Sequence, residues 1–318
     1  MINVKLLEDI LNAEETIRKY IRVTPLEHSI FLSKLGEAQV HLKLENQQVT
    51  GSFKIRGVIN KLLSHRNGKS FVTASTGNHG VAFAYALRLL GLEGTVFLPE
   101  NVSPAKVDDI MLYDVDVRLY GKDSLETELY ARKFAEEHRA IYVSPYNDLK
   151  VIAGQGTIAV ELLKQLEDFN VIIVPVGGGG LASGIASYLK NVAPHVEIVG
   201  VQPENSAVMY HSIKAGRVIN VESKPTLADG VAGGVEEGAI TYELCRRYVD
   251  NFVLIAEEEI RRCMKLMLEK HHMVVEGSAA LPVAAYLKNL HLFKDKKVVL
   301  VITGCRVDLP TLKKVIES

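Results

Sequence analysis

No sign of charge predominates in this sequence: 37 lysines and arginines face 38 aspartates and glutamates, a formal net charge of -1 over 318 residues. Without a global field nothing draws nucleic acid or an anionic membrane, so the partners expected are small molecules and further copies of the chain. Cysteine is scarce as well. Cys245, Cys263 and Cys305 lie far apart, with no CxxC spacing for zinc or a redox pair, and Cys245 and Cys263 read as buried small hydrophobes. No apolar run reaches membrane-spanning length, and the N-terminal MINVKLLEDILNAEETIRKYI, charged throughout, reads as an amphipathic helix. A cytoplasmic protein is expected. Repeats, low-complexity tracts and an obvious linker are missing too, which excludes domains swinging on a tether.

What is there is apolar content sufficient for a sizeable core, 47% hydrophobic against 24% charged, in one large or two modest domains. From Phe71 onward, short β-branched runs alternate with stretches of helical period, the pattern of a parallel sheet covered by helices. FVTAS, GTVFLP, DVRLYG and AIYVS are predicted strands, separated by helices that start after Ser103 and Asp123 as N-caps and by VAFAYALRLLG. A second series follows, with VIIVPV, VEIVGVQ and KVVLVIT as strands and VIAGQGTIAVELLKQL and LASGIASYLKNVA as helices. Ahead of both, QVHLKLE predicts a strand and SFKIRGVINKLLSH the helix after it. The fold class is therefore α/β, and a cleft between two α/β units is the natural ligand site.

Three segments carry chemistry. In VPVGGGGLASGIA a strand stops at Gly177, Gly178, Gly179 and Gly180 and a helix begins. Glycines admit close approach, and the N–H groups of the helix start favour an anion, so this turn can cup a phosphate. The spacing is not GxxxxGK[ST] and no acid follows where a dinucleotide ribose needs one, which weakens a nucleotide reading. In TASTGNHGVAFAYA, Ser75, Thr76, Gly77, Asn78 and His79 fill a second strand-to-helix turn whose donors suit a carboxylate, although His79 alone reads as a structural histidine. In ENQQVTGSFKIRGV, Lys54 stands beside Phe53 near a helix start. Burial there would depress its pKa and make its amine usable for Schiff-base chemistry. A phosphate cup, a carboxylate cup and such a lysine together describe a site for an amino acid and pyridoxal phosphate.

SFKIRG, STGNHG, AGQGTIAVEL, VPVGGGGLASGIA, TLADGV, VEGSAA and TGCRVDL occur in this order between about Thr24 and Leu309. In this the chain resembles the fold-type II pyridoxal-phosphate enzymes, specifically threonine dehydratases, serine racemases and hydroxyaspartate ammonia-lyases. The resemblance implies two open, twisted, mostly parallel sheets flanked by helices, with the cofactor in a cleft between a large domain (1–48 and 146–318) and a small one (49–145), and Lys54 near their junction. It implies that Lys54 is the Schiff-base lysine and then the base at Cα, and that Phe53 neighbours the pyridine ring. Gly177 to Gly180 would hold the phosphate, Asn78 the phenolic oxygen and Thr303 the pyridine nitrogen. Ser75, Thr76, Gly77, Asn78, His79 and Gly230 would face the substrate, and Glu276 is carried over as a cofactor neighbour. The activity implied is an ammonia-lyase turning a 3-hydroxy amino acid such as L-threonine or L-serine into a 2-oxo acid and ammonia, in a dimer or tetramer. An amino-acid racemase ranks second and a non-catalytic amino-acid sensor third; Lys54 argues against the sensor.

Three features depart from the family pattern. Thr76 keeps the hydroxyl that racemising relatives carry as serine, but its β-branch restricts χ1. Gln202 and Val208 stand where racemases place two acids for a divalent cation, so that metal site is expected to be absent. Gly304-Cys305-Arg306 replaces the usual Gly-Gly-Asn. Arg306 can pair with an anion or with an acid of the chain itself, and which 3-hydroxy amino acid is the substrate stays open.

Overall fold

The computed structural model describes residues 2–65 and 70–317. Its strands are β1 (Leu26–His28), β2 (Gln39–Leu44), β3 (Phe71–Ala74), β4 (Gly94–Leu98), β5 (Asp116–Leu119), β6 (Ile141–Tyr142), β7 (Val171–Pro175), β8 (Glu197–Pro203), β9 (Asn251–Ile255) and β10 (Lys297–Ile302). They form a six-stranded sheet in the order β1-β2-β10-β7-β8-β9 and a four-stranded sheet in the order β5-β4-β3-β6. Every pairing is parallel except β1 with β2.

The helices that position the site are α1 (Ile2–Ile17), α2 (Ile30–Gly36), α3 (Lys54–Leu63), α4 (Asn78–Leu90), α5 (Pro104–Met111), α6 (Ser124–Glu137), α7 (Leu149–Gln165), α8 (Gly180–Val192), α9 (Val208–Ala215), α10 (Ile240–Tyr248), α11 (Glu257–His271) and α12 (Gly277–Lys288). Met1, the first residue of the expected N-terminal helix, lies outside the described residues.

Successive side chains of a strand point to opposite faces. Ile172 and Val174 of β7 therefore enter a core shared with α1, α7, α8 and α10, while Val171 and Ile173 enter another shared with α2, α11 and α12. Burial on both faces is why β7 and β10 read as unbroken apolar runs. The smaller sheet is covered in the same way, by α3, α4 and α5 on one side and α6 on the other. Asp123 caps α6 by accepting from Leu125 and Glu126 N–H groups, whereas Ser103 occupies the N-cap of α5 without a side-chain bond. Among the described residues no helix is long and apolar enough to cross a membrane.

Candidate active site

The larger sheet reverses its strand order between β10 and β7, and the smaller between β3 and β6. Such switch points leave a crevice beyond the carboxyl ends of the strands, where open α/β sheets bind ligands. Four turns leave these ends, at residues 75–77, 143–147, 176–179 and 303–306, and hydrogen bonds and close packing join them.

Lys54 is delivered to the crevice by backbone pairing. Phe53 N–H donates to Thr303 O at 3.1 Å, Cys305 N–H to Gly51 O at 3.1 Å, and Ser52 forms an antiparallel bridge with Gly304. Its Nζ donates to Pro145 O at 3.0 Å and lies 5.3 Å from the centroid of the Phe53 ring. Burial lowers its pKa to about 8, against the opposing pull of Glu276. The amine is thus partly unprotonated near neutral pH, as a nucleophile or a base requires.

The residue after Pro145 closes the distance to the tetraglycine turn. A methyl group built on Gly178 would fall 2.4 Å from the Tyr146 ring, and one on Gly180 2.9 Å from Tyr146 Cα. Gly179 has φ +90° and is the N-cap of α8, so the free N–H groups of a helix start are presented at this turn. Two consecutive residues, Pro145 and Tyr146, therefore link the amine to the glycine turn.

Glu276 is the N-cap of α12, yet its side chain makes no capping bond. The carboxylate, 3% exposed, turns into the crevice, accepting from Asn78 Nδ2 at 2.9 Å on both oxygens and from Arg306 N–H at 3.1 Å. Burial raises its pKa to about 7, the Asn78 bond opposing and Asp229 adding to the rise. It acts as no simple dipole partner. Methyl groups built on Gly304 and Gly230 would lie 2.7 Å and 3.4 Å from its Oε1, so both glycines border the same carboxyl. Asn78, carried over as a partner of a phenolic oxygen, gives its amide to Glu276 in this structure.

The imidazole of His79 is bonded under the turn expected to face the substrate. Its Nε2 lies 3.0 Å from Val143 O and 3.1 Å from Thr73 Oγ1 at the smaller sheet, and burial with Lys54 nearby lowers its pKa to about 3. A neutral ring packed under the turn leaves only its backbone N–H for the cup. Ser75 and Thr76 are half-buried in the turn, and Gly77 is exposed, with no atom within 4 Å of where a methyl group on it would lie. Arg306 pairs with Asp109 of α5 across the crevice, and Lys106 of α5 lies 3.9 Å from Asp229. Gln202 Oε1 accepts from Tyr210 N–H at 2.7 Å and Val208 is buried; among the described residues no cluster of three or more His, Cys, Asp or Glu side chains could hold a metal ion.

The two glycines of STGNHG separate packing from function. A methyl on Gly80 would sit 2.1 Å from Ser75 O, so Gly80→Ala is expected to cost about 1–3 kcal/mol in urea unfolding. Gly77 has φ -111°, open to any residue. Gly77→Ala is expected to change stability by only about 0.5 kcal/mol while raising the substrate KM.

A family model described as pyridoxal-phosphate dependent enzyme matches residues 17–304. The chain belongs to this family. Pyridoxal phosphate is accordingly its cofactor, and the crevice fits it: Asn78 Oδ1, Ser278 Oγ and Thr303 Oγ1 are buried without a partner in the chain, beside an amine and an anion-favouring helix start. The chain is 41% identical over 315 residues to an L-threonine ammonia-lyase of Thermotoga maritima, covering 98% of this chain and 78% of that one. Among solved structures, the processed form of threonine deaminase isoform 2 from Solanum lycopersicum superposes with a TM-score of 0.93 at 32% identity, covering 99% of this chain and 92% of that chain. Maize serine racemase does so at 0.91 and 30%, covering 98% and 96%. The expected fold class, two mostly parallel sheets flanked by helices, is that of this enzyme family.

Pro145, Tyr146 and Ser278 were not singled out by the sequence. Pro145 acts through a backbone carbonyl, which any residue has, and Tyr146 through its ring face. The signal available for Tyr146 was its place in the turn between a strand and a capped helix, Asp148 accepting from Lys150 and Val151 N–H groups.

Proposed function

We propose that the chain is an ammonia-lyase acting on a 3-hydroxy amino acid of the L-threonine and L-serine class, releasing a 2-oxo acid and ammonia. The observation that carries this reading is the short link from the half-buried Lys54 amine through Pro145 and Tyr146 to the tetraglycine turn. The names of the relatives support the choice of reaction.

In this reading Lys54 would hold the aldehyde, Gly177 to Gly180 the phosphate and Thr303 the ring nitrogen, with Phe53, Asn78 and Glu276 around them. Pyridoxal phosphate, when bound, supplies an electron sink for the bond broken at Cα. The Lys54 amine, with its pKa lowered to about 8, removes the Cα proton. Ser75 and the N–H groups of Gly77, Asn78 and His79 at the start of α4 orient the substrate carboxylate. The Thr303 hydroxyl, buried without a partner, would accept or donate a hydrogen bond at the ring nitrogen without the charge a carboxylate would bring. One amino acid gives one 2-oxo acid and one ammonium, with no external oxidant. Thr76, which keeps a hydroxyl beside this cup, makes racemisation the second reading. The domain division at residues 49 and 145, a dimeric or tetrameric assembly and a cytoplasmic location belong to the same proposal.

The test is to incubate the holoenzyme with L-threonine, L-serine and D-serine and to measure both 2-oxo acid and the opposite enantiomer. Oxo acid from the L-substrates is expected. Enantiomer formed at a comparable rate would replace the lyase with an isomerase, and an intact cofactor with neither product would overturn both.

A further inference from the structure

Beneath the crevice lies a cluster of buried charges that the reaction itself does not use. Arg56, fully buried two residues after Lys54, donates from Nε and Nη2 to the two oxygens of Glu45 at 2.7 and 2.8 Å, a fork-to-fork pair. Its Nη1 and Nη2 also reach Glu161 at 3.1–3.2 Å, and Nη1 reaches Thr157 Oγ1 at 3.2 Å. Glu161 belongs to α7 and Glu45 follows β2, so the first turn of α3 is clamped onto the larger sheet's layer. The clamp is reinforced where the helices cross, since a methyl on Gly154 of α7 would lie 2.5 Å from Gly57 Cα. On its other side Lys54 is bounded by the pairing of Gly51 to Phe53 with the turn after β10.

We propose that Arg56 is a positioning residue for the Lys54 amine: its bidentate hold on Glu45 and Glu161 fixes the first turn of α3, so that Nζ stays half-buried against Pro145 O. The inference rests on the reading that Lys54 attaches the cofactor. Only a planar fork satisfies both carboxylates at once. Arg56→Lys keeps the charge and loses the fork, so the turn loosens and the amine gains water. Glu276 at the start of α12 and His79 on α4 are the titratable groups whose charge bears on Lys54, and neither touches Arg56 or its partners, so the variant moves Lys54 through position.

The readout is competitive acetylation of the full-length, cofactor-free chain across pH, followed at Lys54 by mass spectrometry. The wild-type midpoint is expected near 8, and Arg56→Lys should raise it by about one to two units towards the ordinary lysine value. In the holoenzyme the same variant should lose roughly 100-fold in kcat on L-threonine with little change in KM. Arg18→Gln alters the same cluster at its rim, where Arg18 is 29% exposed and donates to Glu161 at 3.0 Å. It is expected to lower Tm and leave both the midpoint and kcat as they were. Should Arg56→Lys fail to fold, Glu45→Gln, which keeps the shape and removes one anion, carries the same expectation with a smaller shift.

A folded Arg56→Lys with an unshifted midpoint and unchanged kcat overturns the positioning role. A midpoint moved equally by Arg18→Gln also overturns it, since the cluster would then act on overall stability alone. Borohydride reduction of the wild-type holoenzyme tests the underlying reading separately: an adduct on a lysine other than Lys54 removes that reading whatever the midpoints show.

Discussion

Lys54→Ala is expected to fold normally, to lose the absorption band of the covalently attached cofactor, and to lower kcat at least ~10³-fold, within the range that removal of a positioned acid–base group alone produces. Folding should survive because the side chain makes one hydrogen bond, to Pro145 O, and its partial burial without an ion-paired carboxylate costs stability rather than adding it. Among the described residues the two buried lysines, Lys43 and Lys61, cannot substitute. Lys43 is also lowered by burial, but its ammonium is held by Glu161 at 2.5 Å, Thr24 O at 2.8 Å and Gln165 Oε1 at 2.9 Å. Lys61 is paired with Asp148 at 2.6 Å. Lys54 is a half-buried amine whose neighbourhood leaves it free to become neutral at modest cost, which is the property a Schiff base demands. Absorbance of the purified variant and mass spectrometry after borohydride reduction check the result. Retention of the band, with the adduct on another lysine, would move the chemistry elsewhere.

Much of this site was legible in the residues alone because its parts are local. A strand followed at once by glycines and then a helical period announces an anion cup, and the VPVGGGGLASGIA turn is found at the carboxyl end of β7. STGNHG lies between β3 and α4, and Lys54 begins α3. What stayed hidden depends on contacts distant in sequence. Glu161 and Arg56 are 105 residues apart, and each looks like an ordinary charge on an amphipathic helix until α7 and α3 are crossed. The direction of His79 was equally unreadable, because a helix start can aim the same imidazole into the crevice or back under its own sheet. β1 was missed for a different reason: three residues, two of them exposed, show no period. β9 was missed because its three middle residues are only half-buried at the sheet edge, so its apolar run follows neither the alternating nor the fully buried pattern.

Replacing Glu161 by glutamine should be the most destabilising change of a single group in the cluster, by about 3–5 kcal/mol, as breaking a buried ion pair leaves its partners uncompensated. Glu161 accepts from Lys43 at 2.5 Å, from Arg18 at 3.0 Å, from Arg56 and from Thr24 N–H at 2.8 Å. An amide supplies one acceptor and no charge to these groups, and a loss of that size is a large share of the ~5–15 kcal/mol that holds a typical domain. Burial opposes its ionisation, but Arg56 and Lys43 outweigh burial and hold its pKa at about 2. The folded value lies below the unfolded one near 4.5, so the stability this group contributes is fully present above about pH 4.5 and is lost as pH falls through 2. The shift corresponds to roughly 3 kcal/mol. Glu276 has the opposite sign: with its folded pKa raised to about 7, it makes the cofactor-free chain less stable as pH rises from 4.5 to 7. The two slopes overlap in a wild-type curve, and the difference between wild type and Glu161→Gln isolates the first. Urea midpoints of the cofactor-free proteins should therefore differ most at pH 5 and above, and converge as the pH approaches 2. Parallel curves across that window would mean that the cluster holds α3 through shape alone, with no contribution from the charge at position 161.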